Sequence, residues 1–184
     1  MSNFYISDLH LGHYNAMSRF DHRPFKTLDE MDNAIIGNIN KTVKPQDNLY
    51  LLGDVSWYNA EKTYELLKQI NCKNLFLVVG NHDRWAKDSK CKKLLQGIYD
   101  LKRIEDKGRI VVLCHYPMAV WDQSHRGSYH LYGHVHHNIG EDGEMTHKIL
   151  AHEELVNSFN VGCMLPYMGY TPRTLDWIIS KNKR

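Results

Sequence analysis

Short hydrophobic runs recur along this chain, and each one stops at a group able to do chemistry. Phe4-Tyr5-Ile6 runs into Ser7-Asp8-Leu9-His10, and Leu49-Tyr50-Leu51-Leu52 into Gly53-Asp54. Leu75-Phe76-Leu77-Val78-Val79 ends at Gly80-Asn81-His82-Asp83. Ile110-Val111-Val112-Leu113-Cys114 precedes His115, and Tyr129-His130-Leu131-Tyr132 precedes Gly133-His134-Val135-His136. Aliphatic and β-branched runs of this length, cut off by glycine or a polar cluster, predict buried strands. In open α/β sheets, ligands bind beyond the carboxyl ends of the strands, so these five endings mark one candidate site.

Helical spacing fills the intervals. Thr27-x-x-Glu30 is a capping box opening a helix whose apolar positions are Leu28, Met31, Ile35 and Ile39. A second helix is expected from Ala60 to Ile70, burying Tyr64, Leu66 and Leu67, and the lysine-rich stretch from Arg84 to Gln96 is weakly helical. Tyr99 to Ile104 and Arg109 to Cys114 flank Asp106-Lys107-Gly108 as a hairpin. Another strand is expected within Ile149 to Val161, and 138–147 reads as an exposed excursion. Thr171-Pro172 predicts the start of a last helix carrying Leu175, Ile178 and Ile179. The order is β-α-β-α-β, then mostly strands, then a helix. This predicts one α/β domain over residues 1–184, with two packed mixed β-sheets flanked by helices.

Composition narrows the function classes. At 184 residues with 42% hydrophobic content the chain can bury a substantial core. A formal net charge of +2 gives no general case for nucleic-acid or membrane binding. No apolar stretch approaches the ~20 residues of a membrane span. The four cysteines show no C-x-x-C pairing, and no signal peptide precedes the first strand, so the expected compartment is cytoplasmic. The Lys181 to Arg184 tail reads as a solvated terminus. Twelve histidines is the one unusual count, and the strand endings use five of them.

Asp8-x-His10, Asp54, Asn81, His115 and His134-x-His136 supply seven oxygen and nitrogen donors. That is too many for one tetrahedral zinc and suits two divalent cations of higher coordination. Taken singly these signals are weak, since aspartate after a strand often caps the next helix. The ordered set carries the inference.

The same set, with Gly80-Asn81-His82-Asp83 between its members, resembles the five motifs of calcineurin-like metallophosphoesterases. Gly12-His13-x-Asn15, the Arg23-Pro24-Phe25 loop and Asn160-Val161-Gly162 resemble a compact bacterial and phage branch of that family. The resemblance implies the family's sandwich of two sheets. It also implies one metal on Asp8, His10 and His136, a second on Asn81, His115 and His134, and Asp54 bridging them. His82 would face the scissile phosphate as general acid, with Asp83 orienting its imidazole. His13, Asn15, Arg23 and Arg84 are candidates for substrate contact. Manganese leads as the metal, with iron, zinc and nickel compatible with the donors. The implied reaction is hydrolysis of a phosphate ester, a phosphodiester in preference, by a hydroxide held between the metals. The alternatives are a nuclease or a cyclic-nucleotide phosphodiesterase, with a nucleotide or short nucleic acid as substrate. A protein-interaction scaffold on the same fold is a third reading, disfavoured because His82 and every ligand position are filled. Tyr14, Tyr58, Trp85 and Trp121 can line the cleft, although packing is the commoner role of such residues. No residue pattern assigns an oligomeric state.

Overall fold

The computed structural model describes residues 1–136, 144, 148–149, 151–152 and 155–182. The expected excursion at 138–147 lies outside these residues apart from position 144, as does the end of the basic tail at 183–184.

Four strands, β1 (Asn3–Ile6), β2 (Asn48–Leu51), β3 (Asn74–Val78) and β4 (Gly97–Tyr99), form one sheet in that order. All its pairings are parallel, with Ile6 beside Leu51 and Leu51 beside Leu77. The sheet expected to be mixed is thus purely parallel, because a crossover segment joins each successive pair. Those segments contain α1 (Leu28–Thr42), α2 (Ala60–Leu67) and, before β4, a 3₁₀ turn at Arg84–Lys87 followed by α3 (Ser89–Lys92). The capping box opens α1 as expected: Thr27 Oγ1 accepts the Glu30 N–H at 3.1 Å, while Glu30 Oε2 accepts the Lys26 N–H at 2.8 Å. Met31, Ile35, Ile36 and Ile39 are the buried face.

The second sheet is mixed. It contains β5 (Leu101–Asp106), β6 (Arg109–Cys114), β7 (Tyr129–Tyr132) and β8 (Ser158–Asn160), with β5 antiparallel to β6 and the rest parallel. The hairpin turns on Lys107 and Gly108, at φ 53° and 77°, the two positive values a type I′ turn requires. Tyr99 leaves the hairpin for β4, so the chain passes from one sheet to the other at Asp100.

Both sheets feed one buried cluster, in which Leu51 and Leu77 of the first join Leu113, Leu131 and Phe159 of the second. The Tyr5 hydroxyl reaches across to donate to Asp106 Oδ2 at 2.8 Å. Past the end of β1, Ser7 pairs with the segment after β8: its N–H donates to Val161 O and its O accepts from Cys163 N, each at 2.9 Å. The last helix, α4 (Leu175–Asn182), starts later than Thr171-Pro172 predicts. Arg173 exchanges two backbone hydrogen bonds with Tyr5 and holds that stretch extended.

Candidate metal centre

The carboxyl ends of β1, β2, β3, β6 and β7 converge, and the turns after them bring His10, Asp54, Asn81, His134 and His136 to the wall of one cleft, with Asp8 and His115 fully buried. Two trios stand out: Asp8, His10 and His136, and Asp54, His115 and His134. Within each trio, one donor atom per residue lies within 4.8 Å of the others. Asn81 lines the same cleft of about 130 Å3, together with Asp54, His82 and four of the cluster's other histidines.

The turns are built to aim donors rather than to be relaxed. Asp8, His10, Asp54, His134 and His136 all have positive φ, between 40° and 72°. Such values cost a non-glycine residue roughly 1–2 kcal/mol each. Five of seven candidate ligands holding this conformation marks a site where strain is carried for function. Glycines keep the walls thin. A Cβ on Gly80 would collide with the Asp54 carboxylate, and one on Gly133 with that of Asp8.

Donor spacing tests whether cations fit. His10 Nε2 and His136 Nε2 are 3.1 Å apart, His115 Nε2 and Asp54 Oδ2 3.5 Å, and His136 Nε2 and Asp8 Oδ1 3.6 Å. Ligands each about 2.1 Å from a common ion lie about 3.0–3.4 Å apart at octahedral and tetrahedral angles; the 3.1 Å spacing falls in that range, and 3.5 and 3.6 Å lie just above it. Asp54 Oδ2 is also 3.8 Å from His10 Nε2, which puts one oxygen between the trios. His115 Nδ1 donates to Leu52 O at 2.8 Å, and its buried Nε2 has no hydrogen-bond partner. A buried imidazole nitrogen left open toward a carboxylate is what a metal site presents.

Charge agrees with this. Burial, then repulsion from His136, presses the His10 pKa down to about 2. Burial opposes protonation of His115 as well, but the Asp54 carboxylate facing its Nε2 and the Asp8 charge outweigh it and lift the pKa to about 9. Burial likewise works against the Asp54 carboxylate, yet its partners, led by His115, hold its pKa at about 2. Positive charge between Asp54 and His115 is thus favoured, whether a proton or a cation carries it.

Around the donors, other residues hold the geometry. His136 Nδ1 donates to Asp21 Oδ1 at 2.8 Å, so its Nε2 is the atom turned to the cleft. Arg23 grips Asp21 Oδ2 through Nε and Nη2 at 2.9 and 2.8 Å, and donates to Leu9 O and Asp8 O at 2.7 and 2.9 Å. Only 4% exposed, Arg23 is therefore a brace for the β1 turn and for Asp21 and not a contact open to substrate, which corrects the expectation. Asp83 is also spoken for. Its oxygens accept from Asp54 N, Val55 N, Gly80 N and Trp85 Nε1 at 2.8–2.9 Å, tying the β2 and β3 turns together. The expected contact to the His82 ring is not among these bonds. That ring lies against Trp57 instead, with centroids 4.4 Å apart, while its Nε2 is 3.9 Å from Asp54 Oδ2.

His13 is buried in the cleft wall, its Nδ1 3.1 Å from His10 Nδ1. For His10 Nε2 to offer a lone pair, its Nδ1 must carry the proton and His13 Nδ1 accept it. Asn15 is exposed at the start of a short π-helical segment, Ala16–Phe20. Arg84 lines a neighbouring pocket of about 330 Å3 with Ser56, Trp57, Tyr58, His82 and Trp85. Of the four aromatics considered from sequence, Trp85 and Trp121 are buried and Tyr14 is exposed, while Tyr58 shares the pocket wall. Exposed rings that sequence did not nominate stand at the cleft instead. Trp57 stacks on His13 at 3.8 Å, Phe20 meets His13 edge-on, and Tyr116 meets His134 at 4.8 Å. Asp21 was equally invisible, because an aspartate in a polar loop carries no motif.

Comparison with known proteins places these observations. The family model for calcineurin-like phosphoesterase matches residues 4–106, a span containing Asp8, His10, Asp54, Asn81 and His82. An uncharacterized protein of Methanocaldococcus jannaschii is 31% identical over 137 residues, 73% of this chain and 69% of that protein. The crystal structure of a protein of unknown function from Aquifex aeolicus aligns over 97% of this chain and 98% of its own, with a TM-score of 0.70 and 26% identity. Among the described residues, no helix is long and apolar enough to cross a membrane.

Proposed function

The chain belongs to the calcineurin-like phosphoesterases, and from that premise we propose that it is a dinuclear metal-dependent hydrolase acting on phosphodiesters, with residues 1–184 as one domain. The observation that carries this reading is Asp54 Oδ2, 3.8 Å from His10 Nε2 of one trio and 3.5 Å from His115 Nε2 of the other. A single carboxylate oxygen shared by two donor groups is the arrangement that holds two cations close despite their repulsion.

Asp8, His10 and His136 would hold one cation, and Asn81, His115 and His134 the other, with Asp54 common to both. Two divalent cations would supply positive charge to the phosphoryl oxygens and acidify the attacking water. Manganese is the leading candidate, and iron, zinc or nickel are also compatible with mixed imidazole, carboxylate and amide donors. The protein's own part is orientation and proton delivery. His82 borders the cleft, anchored by its N–H to Asp54 Oδ1 at 2.9 Å, and its ring is partly open to solvent. It protonates the leaving oxygen as the ester bond breaks. His13 fixes the tautomer of His10, and Arg23 with Asp21 fixes that of His136. Four free cysteines favour the reducing cytoplasm as the compartment.

The test is a screen of manganese-reconstituted protein on bis-aryl phosphates, aryl monophosphates, cyclic nucleotides and short oligonucleotides. Diesters turned over faster than the matching monoesters are the expected result. Hydrolysis of none, with two metals bound, would overturn the reading.

A further inference from the structure

Beside the metal cleft lies a second pocket, and the two share His82. Its volume, about 330 Å3, is that of a small-molecule site. Trp57, Tyr58 and Trp85 wall it with rings, and Arg84 adds a cation. Trp57 is 48% exposed although it is stacked on His13. A half-exposed indole at the mouth of a catalytic cleft is a ready stacking platform.

The chain leaving this pocket is the most basic on the molecule. Arg84, Lys87, Lys90, Lys92 and Lys93 are all exposed within ten residues, against one carboxylate, Asp88. Asp88 is committed to capping α3, where Oδ1 accepts from Lys90 N and Cys91 N at 2.8 and 3.2 Å. The local excess of positive charge exceeds the +2 of the whole chain. Cys91 anchors the segment: buried, it donates its thiol to Ala60 O at 3.3 Å. Lys62 Nζ lies 5.8 Å from the ring centroid of Tyr58, one of the residues lining the pocket. The strip therefore starts at the pocket and is held by the fold.

We propose that this surface binds single-stranded nucleic acid as the substrate, one base entering the Trp57–Arg84 pocket and the backbone following the lysines from 87 to 93. The inference rests on the phosphodiesterase reading and adds the substrate class. A mononucleotide would satisfy the pocket but leave the lysine strip without a role, whereas a strand uses both. Rings interleaved with cations are the recognition chemistry of single strands. A single strand is favoured over a duplex because extruding a paired base into the pocket costs unpairing and unstacking energy.

The test uses the metal-loaded full chain with a phosphorothioate-linked hexanucleotide for binding, and the natural hexanucleotide and bis(4-nitrophenyl) phosphate for turnover. Binding read by fluorescence anisotropy should weaken by roughly 30-fold at low salt in the triple variant Lys87→Glu/Lys90→Glu/Lys93→Glu. Its salt slope should flatten by about 2, at about 0.7 per phosphate contact. Trp57→Ala should cost roughly tenfold on the base-bearing strand and far less on an abasic strand of equal length. In turnover, the triple variant should lose at least about tenfold more on the hexanucleotide than on the aryl diester. A duplex or abasic strand bound as tightly as the single strand would overturn the proposal, as would equal losses on both turnover substrates. Hydrolysis of neither substrate would overturn the phosphodiesterase reading instead, and the anisotropy measurements would still decide whether the strip binds strands.

Discussion

Asp21 and His136 are joined by a 2.8 Å hydrogen bond across 115 residues of sequence. The Asp21 side chain is fully enclosed and that of His136 is 11% exposed, and each perturbs the other. Burial tends to raise the Asp21 pKa, but the His136 and Arg23 hydrogen bonds outweigh it and lower it. Burial tends to lower that of His136, and Asp21 reverses the direction. The bond leaves His136 only Nε2 to present to a cation.

Removing the charge while keeping the shape should therefore loosen one metal. Asp21→Asn is expected to weaken metal retention at the Asp8–His10–His136 trio by ~10–100-fold, the usual effect of losing a carboxylate behind a ligating histidine. Competition against a graded chelator series reads this directly. Unchanged retention of both ions would show that Asp21 serves the loop alone.

Asp54→Ala removes the oxygen placed between the two trios. Without it two cations would repel at short range, so the variant should hold neither tightly. Elemental analysis after desalting should give far fewer than two ions per chain, and metal addition should no longer raise the melting temperature. In the parent protein that rise is expected, because a ligand that binds only the folded state stabilises it. Two retained ions in the variant would remove Asp54 from the bridging position.

His130 offers a test of pH dependence away from the metals. It is fully buried, its Nδ1 donating to Val112 O at 3.1 Å and its Nε2 accepting from Met118 N at 3.2 Å. A neutral imidazole satisfies both contacts, and a protonated one would turn a donor against a donor. Burial accordingly lowers the pKa to about 4 from an ordinary 6.5. Between those values the unfolded chain binds the extra proton and the folded chain does not. Stability from this residue is thus full above pH ~6.5 and lost as pH falls toward ~4, by up to about 3 kcal/mol. Denaturant titrations across that window should show a shallower acid loss in His130→Gln than in the parent protein. Parallel slopes would mean that His130 is already protonated when folded.

Sequence made the candidate ligands legible because each sits at a strand end, where periodicity stops and a glycine or polar group begins. Gly80 and Gly133 were visible as punctuation, but their role in letting Asp54 and Asp8 approach needed the fold. Arg23 illustrates the opposite limit. A basic residue in a polar loop reads as solvated or substrate-facing, and only tertiary contacts show it buried against Asp21 and two backbone carbonyls. The late start of α4 has a similar cause, since Tyr5 claims the backbone of Arg173 from the far end of the chain. The stretch from Arg84 to Gln96 reads as weakly helical, and only the fold shows that Arg84 at its start shares a pocket wall with Trp57 and Tyr58.

The sharpest prediction concerns His82, and it follows from where charge develops. As the ester bond lengthens, the leaving oxygen gains negative charge. A nitrophenolate tolerates this through its ring, whereas an alkoxide such as a ribose oxygen needs a proton as it departs. His82 is placed to give one: its ring borders both the cleft and the neighbouring pocket, and its side chain is 37% exposed. His82→Ala should therefore slow alkyl phosphodiesters by ~10²–10⁴-fold and nitrophenyl diesters far less. Metal content should stay near that of the parent protein, because the backbone N–H of residue 82, which survives the substitution, is what supports Asp54 at 2.9 Å. Equal slowing of both ester classes would instead assign His82 to stabilising phosphoryl charge. Loss of metal along with activity would make it a ligand.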